Sequence, residues 1–164
     1  MAGAYSLGLG GATLANAVVT LVFLNPPAAP ALTLKFRRFW IGQSATTTYT
    51  GNQRVQLNTQ VTAFPTLVSA TPAKLSIADG ASILTGGTAG AAGTTGVNAS
   101  AEGAGAKTII WNDAFSPVNG WLLVPLPEEA IEMMAGSASG IGMHLPVAAT
   151  TLTNWEFGCS WIED

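Results

Sequence analysis

Charge is the scarcest thing in this sequence. Only 9% of its 164 residues are Asp, Glu, Lys or Arg, where a soluble domain carries roughly a quarter. A free monomer so poor in charge has a sticky surface, so much of that surface is expected to be covered by other subunits. There is one cysteine, Cys159, which excludes a disulfide within the chain. There is one histidine, His144, which excludes a two-histidine metal site in a single copy. Long apolar runs are missing too. The best candidate, Ala12 to Leu24, is interrupted by Thr13, Asn16 and Thr20 and falls short of the roughly 18 residues that cross a bilayer. No membrane partner is expected. The first charged residue is Lys35, so the positive start of a secretory signal is lacking and no signal peptide is expected.

The few charges are unevenly placed. Lys35, Arg37, Arg38, Arg54 and Lys74 precede every acid, whereas Lys107 is the one base among the nine acids from Asp79 onward. The two parts carry +5 and −8, a net charge of −3. Scattered surface charge accounts for this, and so does complementary contact between neighbouring copies. Nucleic acid is not an expected partner. Four bases between Lys35 and Arg54 are no concentrated footprint, and the pI is about 4.9.

What is present is strand-like. At the C-terminus Trp155, Phe157, Cys159 and Trp161 alternate with Glu156, Gly158 and Ser160, the period of two that marks a strand with one buried face. Val55, Leu57, Thr59 and Val61 alternate with Gln56, Asn58 and Gln60 in the same way. Leu32, Leu34 and Phe36 share one face, then Phe39 and Ile41 switch to the other, so a β-bulge is expected near Arg37 and Arg38. Short strands are also expected over 62–69, 73–77 and 107–111. The segment 127–134 opens like a helix with Pro-Glu-Glu but reads better as a strand. Short strands punctuated by Gly and Pro suggest an all-β sandwich or barrel.

Two regions read differently. Residues 1–30 carry no charge: a Gly-rich start, an apolar strand over 17–24, then Pro26, Pro27 and Pro30 as a stiff connector. This pattern suits an arm that anchors the chain to a neighbour, with residues 31–164 forming one domain. It equally suits a strand that begins the domain's own sheet. As an anchor, Val18, Val19, Leu21 and Phe23 are the candidate subunit or capsid contacts, with Lys35, Arg37, Arg38 and Arg54 as the basic alternative. Residues 79–106 are rich in Gly, Ala and Thr. Such a stretch lacks side chains to bury and is expected to be a loop packed on a neighbour or mobile at the surface.

No catalytic constellation emerges. Gly105-Ala106-Lys107-Thr108 lacks the glycine before the lysine that a phosphate-binding loop requires, and a strand follows it. Gly136-Ser137-Ala138-Ser139-Gly140 has Ala138 where a nucleophile elbow needs serine. His144 and Cys159 sit in strand patterns as structural residues. Glu128, Glu129 and Glu132 are the one acidic cluster, but adjacent residues on a strand point to opposite faces, so Glu128 and Glu129 make no acid-base pair. No enzyme activity and no cofactor are expected.

Several stretches resemble small structural proteins of tailed bacteriophages. They are Arg54 to Pro65, the Gly86 to Gly96 tract, Asn119-Gly-Trp-Leu-Leu-Val-Pro and Leu152-Thr-Asn-Trp-Glu-Phe-Gly. The resemblance implies a jelly-roll-like antiparallel β-sandwich with an extended N-terminal arm. It also implies a capsid decoration (cement) protein on the outer surface of the virion, a homotrimer bound to the major capsid protein. The alternative is a head-fibre or tail-associated module that binds host-surface carbohydrate through exposed aromatics beside carboxylates or amides. For that role Trp40, Trp111, Trp121, Trp155 and Trp161 are available, though most lie in apolar strand patterns.

Overall fold

In the computed structural model, which describes residues 3–16, 19–44, 51–134, 136, 139–149 and 151–164, the chain is almost wholly β. Among the described residues thirteen strands follow in order: β1 (Gly3–Ala12), β2 (Val19–Asn25), β3 (Thr33–Gln43), β4 (Gln53–Gln60), β5 (Thr66–Ser69), β6 (Ala73–Lys74), β7 (Thr85–Gly86), β8 (Thr94–Ala101), β9 (Lys107–Phe115), β10 (Trp121–Leu123), β11 (Glu132–Met134), β12 (Gly140–Leu145) and β13 (Trp155–Glu163). One 3-10 turn, Pro127–Glu129, precedes β11, so the helix-like opening of that segment lasts three residues before the expected strand.

The strands form two antiparallel sheets packed as a sandwich. The first has the order β10-β3-β13-β1-β6, with β11 also on β3; the second has the order β5-β8-β2-β12-β4-β9, with β7 beside β8. The long strands nest from the ends inward. β1 pairs with β13, β2 with β12, β3 with β10 and β11, and β4 with β9. The two inner faces share one core, in which Trp155, Phe157, Cys159 and Trp161 are wholly buried. Phe115 of the second sheet meets Trp155 of the first edge-on at 6.5 Å between ring centres, an arrangement favoured by the ring quadrupoles. Burial also pushes the Cys159 thiol well above its usual range, so it packs as a small apolar group.

The expected bulge is present. Ser160 faces Arg38 and Trp161 faces Phe36, which leaves Arg37 as the extra residue. It lets Leu34 and Phe36, then Phe39 and Ile41, all reach the core.

Two expectations are overturned. The N-terminal segment is no arm: β1 lies between β13 and β6, and β2 lies between β8 and β12. Every residue from Val19 to Asn25 is buried, and a strand covered on both faces reads as an uncharged, mostly apolar run. Residues 26–32 carry the chain from one sheet to the other. The Gly/Ala tract is a surface loop only in its first half. Its second half is β8, paired to β2 and β5, with Val97 and Ala99 wholly buried. Small residues are needed there because neighbours come close: a Cβ on Gly96 would stand 2.6 Å from the Cβ of Leu67.

Both sheets carry an aromatic ring over glycines on their outer faces. In the second sheet Phe23 is in register with Gly96 and Gly142. Phe64 covers it at 5.6 Å between ring centres. In the first sheet Trp40 is in register with Gly158, which faces Gly8. A Cβ on Gly158 would collide with the Trp40 ring, and one on Gly8 would stand 3.0 Å from its Cζ2. The indole therefore lies across the glycines.

Candidate interaction surface

The structure scatters the contact residues read from the sequence. Val18 lies outside the described residues. Val19, Leu21 and Phe23 are buried within the fold, so they hold β2 in its own sheet and offer nothing to a neighbour. Lys35 donates to the Asp164 carboxylate at 2.9 Å, and that hydrogen bond with its charge holds the Asp164 carboxyl below its usual range. Arg37 is exposed at the bulge, and Arg38 stands 5.2 Å from the centre of the Trp40 ring, a cation–π contact. Arg54 is exposed on β4, in the other sheet. Lys35, Arg37 and Arg38 thus stay near one another on β3, while Arg54 is apart from them.

One polar cluster sits on the outer face of the second sheet. The Glu102 carboxylate accepts from Lys107 Nζ at 2.5 Å, from Thr20 Oγ1 at 2.7 Å and from the Thr20 amide, and it lies 3.2 Å from His144 Nδ1. Burial works to raise the Glu102 pKa, but the contacts with His144, Lys107 and Thr20 outweigh it and lower the value to about 2. A catalytic triad would use the two ring nitrogens of His144 for different partners. Here Thr20 Oγ1, at 3.4 Å, and Glu102 both approach Nδ1, and the hydroxyl already donates to the carboxylate. The cluster therefore ties residue 102 to β2 and β12. Among the described residues, no three His, Cys, Asp or Glu side chains converge as a metal site requires.

The open surface is elsewhere. β9 ends the second sheet, and β10 and β11 end the first. Trp121 Nε1 donates to Asp113 Oδ2 at 3.0 Å, which joins β10 to β9. From Thr108 to Ala114 every side chain of β9 is exposed, because the first sheet does not reach over this edge. Ile109 is 53% exposed, Ile110 42% and Trp111 37%; Leu126 at 61% and Met134 at 70% lie by β10 and β11. An edge strand of this length with bare apolar side chains is a template for association unless something covers it. Ile110 is also a bulge residue, since Leu57 faces Trp111 and Asn58 faces Ile109. Such a kink disturbs the ladder and favours side-chain packing over simple sheet continuation.

Beside this edge, on the outer face of the first sheet, lies a shallow depression of about 480 Å³ bordered by Trp40, Gly42, Ser44, Asn119, Leu122 and Glu156. Trp40 faces Leu122 on one side and Gly158 on the other, while Gly42 faces Glu156. Residues opposite one another share a face, so indole, leucine and carboxylate rise around Gly42, whose Cβ position lies 3.4 Å from the Cα of Gly120. The turn over 116–120 completes the rim. It is held by the amides of Asn119 and Gly120 on the Ser116 carbonyl at 3.1 and 3.0 Å, and by the Gln43 amide on the Pro117 carbonyl at 2.9 Å.

Comparison with protein-family models, curated proteins and solved structures finds no match for this chain.

Neither the bare edge nor the depression was legible in the sequence. Ile109, Ile110 and Trp111 read as ordinary sheet residues, and only the strand order leaves them uncovered. One signal was available for the depression: Trp40 shares its outward position with Arg38 and Gly42, on the face opposite Phe39 and Ile41.

Proposed function

We propose that this chain is a non-enzymatic assembly protein that associates with copies of itself, and that it serves as a virion decoration protein on the outer surface of a capsid. The observation that carries the first part is the uncovered β9 edge with its apolar neighbours, on a chain only 9% charged. Apolar side chains of this size are left bare on a subunit when association covers them. The sandwich is of jelly-roll type in this reading, supported by the nesting of β1 with β13, β2 with β12, β3 with β10 and β11, and β4 with β9. The capsid, its major capsid protein as partner and the threefold symmetry come from the resemblance of the quoted stretches to phage structural proteins, and the comparisons add nothing to it.

Sedimentation of the purified chain at micromolar concentration tests the assembly. A homotrimer is expected, dispersed by Ile110→Lys; a soluble monomer would overturn the reading. Quantitative mass spectrometry of virions tests the location. Hundreds of copies per particle are expected for a decoration protein, whereas a few would point to a fibre and none would remove the virion assignment.

A further inference from the structure

The depression beside Trp40 differs in kind from the β9 edge. The edge is apolar; the depression joins one aromatic ring to convergent polar groups. We propose that it is a binding site for a neutral saccharide, with one hexopyranose ring set on Trp40. This inference does not depend on the assembly reading, which neither requires nor forbids such a site.

A pyranose ring has an apolar face of C–H groups and a rim of hydroxyls. An indole matches the first, because its face is large, flat and negatively polarised. A carboxylate, a primary amide and a hydroxyl match the second. Glu156 accepts from two neighbouring hydroxyls at once, and Asn119 both donates and accepts. All three kinds of group border the depression, with Gly42 between Trp40 and Glu156 leaving space for the ring. A volume of about 480 Å³ falls within the range of small-ligand sites.

The parts are also held in place. Gly158 and Gly8 bed the Trp40 indole, and the exposed Arg38 guanidinium lies over the ring at 5.2 Å, so a sugar must displace it to reach that face. The hydrogen-bonded turn over 116–120 fixes the backbone of Asn119. Ser44 donates to the Asn154 carbonyl at 3.2 Å, and its oxygen remains an acceptor. A site already ordered before binding loses less entropy on taking up a ligand. Among the described residues that border it, Glu156 is the one charged side chain, and with the Arg38 guanidinium over Trp40 it leaves the site without net charge, which suits a neutral sugar.

The test is a titration of the full chain, labelled with ¹⁵N, with maltotriose, cellotriose, mannotriose, lactose and triacetylchitotriose. The signals followed are the Trp40 indole N–H and the amides of Gly42 and Asn119. At least one of these sugars is expected to move the three signals together and saturably below roughly 10 mM, an affinity typical of a single weak site. Glu156→Gln and Trp40→Ala should each weaken binding by about tenfold or more, equivalent to one or two lost contacts. Gly42→Leu should abolish it by filling the floor. Glu156 is exposed on the outer face, so Glu156→Gln keeps the test valid even if Trp40→Ala unfolds. No shift with any of the five sugars would overturn the proposal. So would an unchanged midpoint in both Gly42→Leu and Glu156→Gln. Sedimentation of the same samples separates the two readings: an intact trimer that ignores every sugar sinks the saccharide site alone, and a monomer that binds sinks the assembly alone.

Discussion

Phe23 and Trp40 occupy comparable settings and meet different fates. Each ring stands on the outer face of its sheet beside glycines on the neighbouring strands. Over Phe23 the chain builds a roof, with Phe64 against the ring and residues 102–105 laid across the loop at 62–63. Gln60 Nε2 holds that loop through the Ala63 carbonyl at 2.7 Å, and Glu102 is pinned by Thr20, His144 and Lys107. Over Trp40 the described residues place only the guanidinium of Arg38. The same local device thus gives a second small core on one sheet and an accessible aromatic platform on the other. The insertion between β4 and β9 decides which face is closed.

The largest expected effect comes from removing the roof's foundation. Deleting residues 87–96 takes out the first part of β8 and breaks its pairing with β2. Cooperative thermal unfolding, monitored by circular dichroism, should disappear, because the loss is comparable to the whole stability of a domain, about 5–15 kcal/mol. A folded, cooperatively melting deletion would mean that the tract is dispensable and the two faces are not really different.

Single substitutions sharpen the contrast. Phe23→Ala should cost about 3–4 kcal/mol in denaturant unfolding, the range for a large ring removed from a packed site. Trp40→Ala should cost about 1–2 kcal/mol, since half-buried contact on an open face is worth less. Equal costs would show that the Trp40 face is packed like a core.

The Glu102 anchor has a defined pH window. Its folded pKa is lowered from 4.5 to about 2, so its stabilising contribution is fully present above about 4.5 and fades as pH falls toward 2. Partners facing it are His144 on β12 and Lys107 on β9. Glu102→Gln should therefore lose about 1–2 kcal/mol near pH 6, after allowance for solvent screening, and almost nothing near pH 2. A constant difference across that range would show that the carboxylate charge is irrelevant to the anchor.

The smallest effect on monomer stability belongs to the bare edge. Ile110→Ser should change unfolding free energy by no more than about 0.5 kcal/mol, as for exposed sites generally. It should still shift the sedimentation profile toward monomer. A large loss of stability with no change in association would place Ile110 in the subunit's own packing.

Much of the framework was readable from local pattern. The period of two over 155–161 identified the core face of β13, and the break between Phe36 and Phe39 located the bulge at Arg37. These features depend on the alternation of side chains along one strand, which sequence displays directly. The amides at Asn58 and Gln60 were also visible, though not their purpose. They lie on the outer face of β4 and are buried, with Gln60 fastening the roof.

The sequence by itself determined the class of structure and the inward faces of β3, β4 and β13, because each follows from residue type and near-neighbour spacing. Only the tertiary structure decided that β1 and β2 are interior strands, that the Gly/Ala tract supplies β8, and that β9 is left bare. An uncharged apolar run suits a strand in any sheet, and a glycine suits either a loose loop or a tight contact. The choice between these lies in hydrogen-bond partners and covering side chains drawn from far along the chain. Glu102 on Thr20 and Trp155 beneath Phe115 are two such cases, and no local pattern announces them.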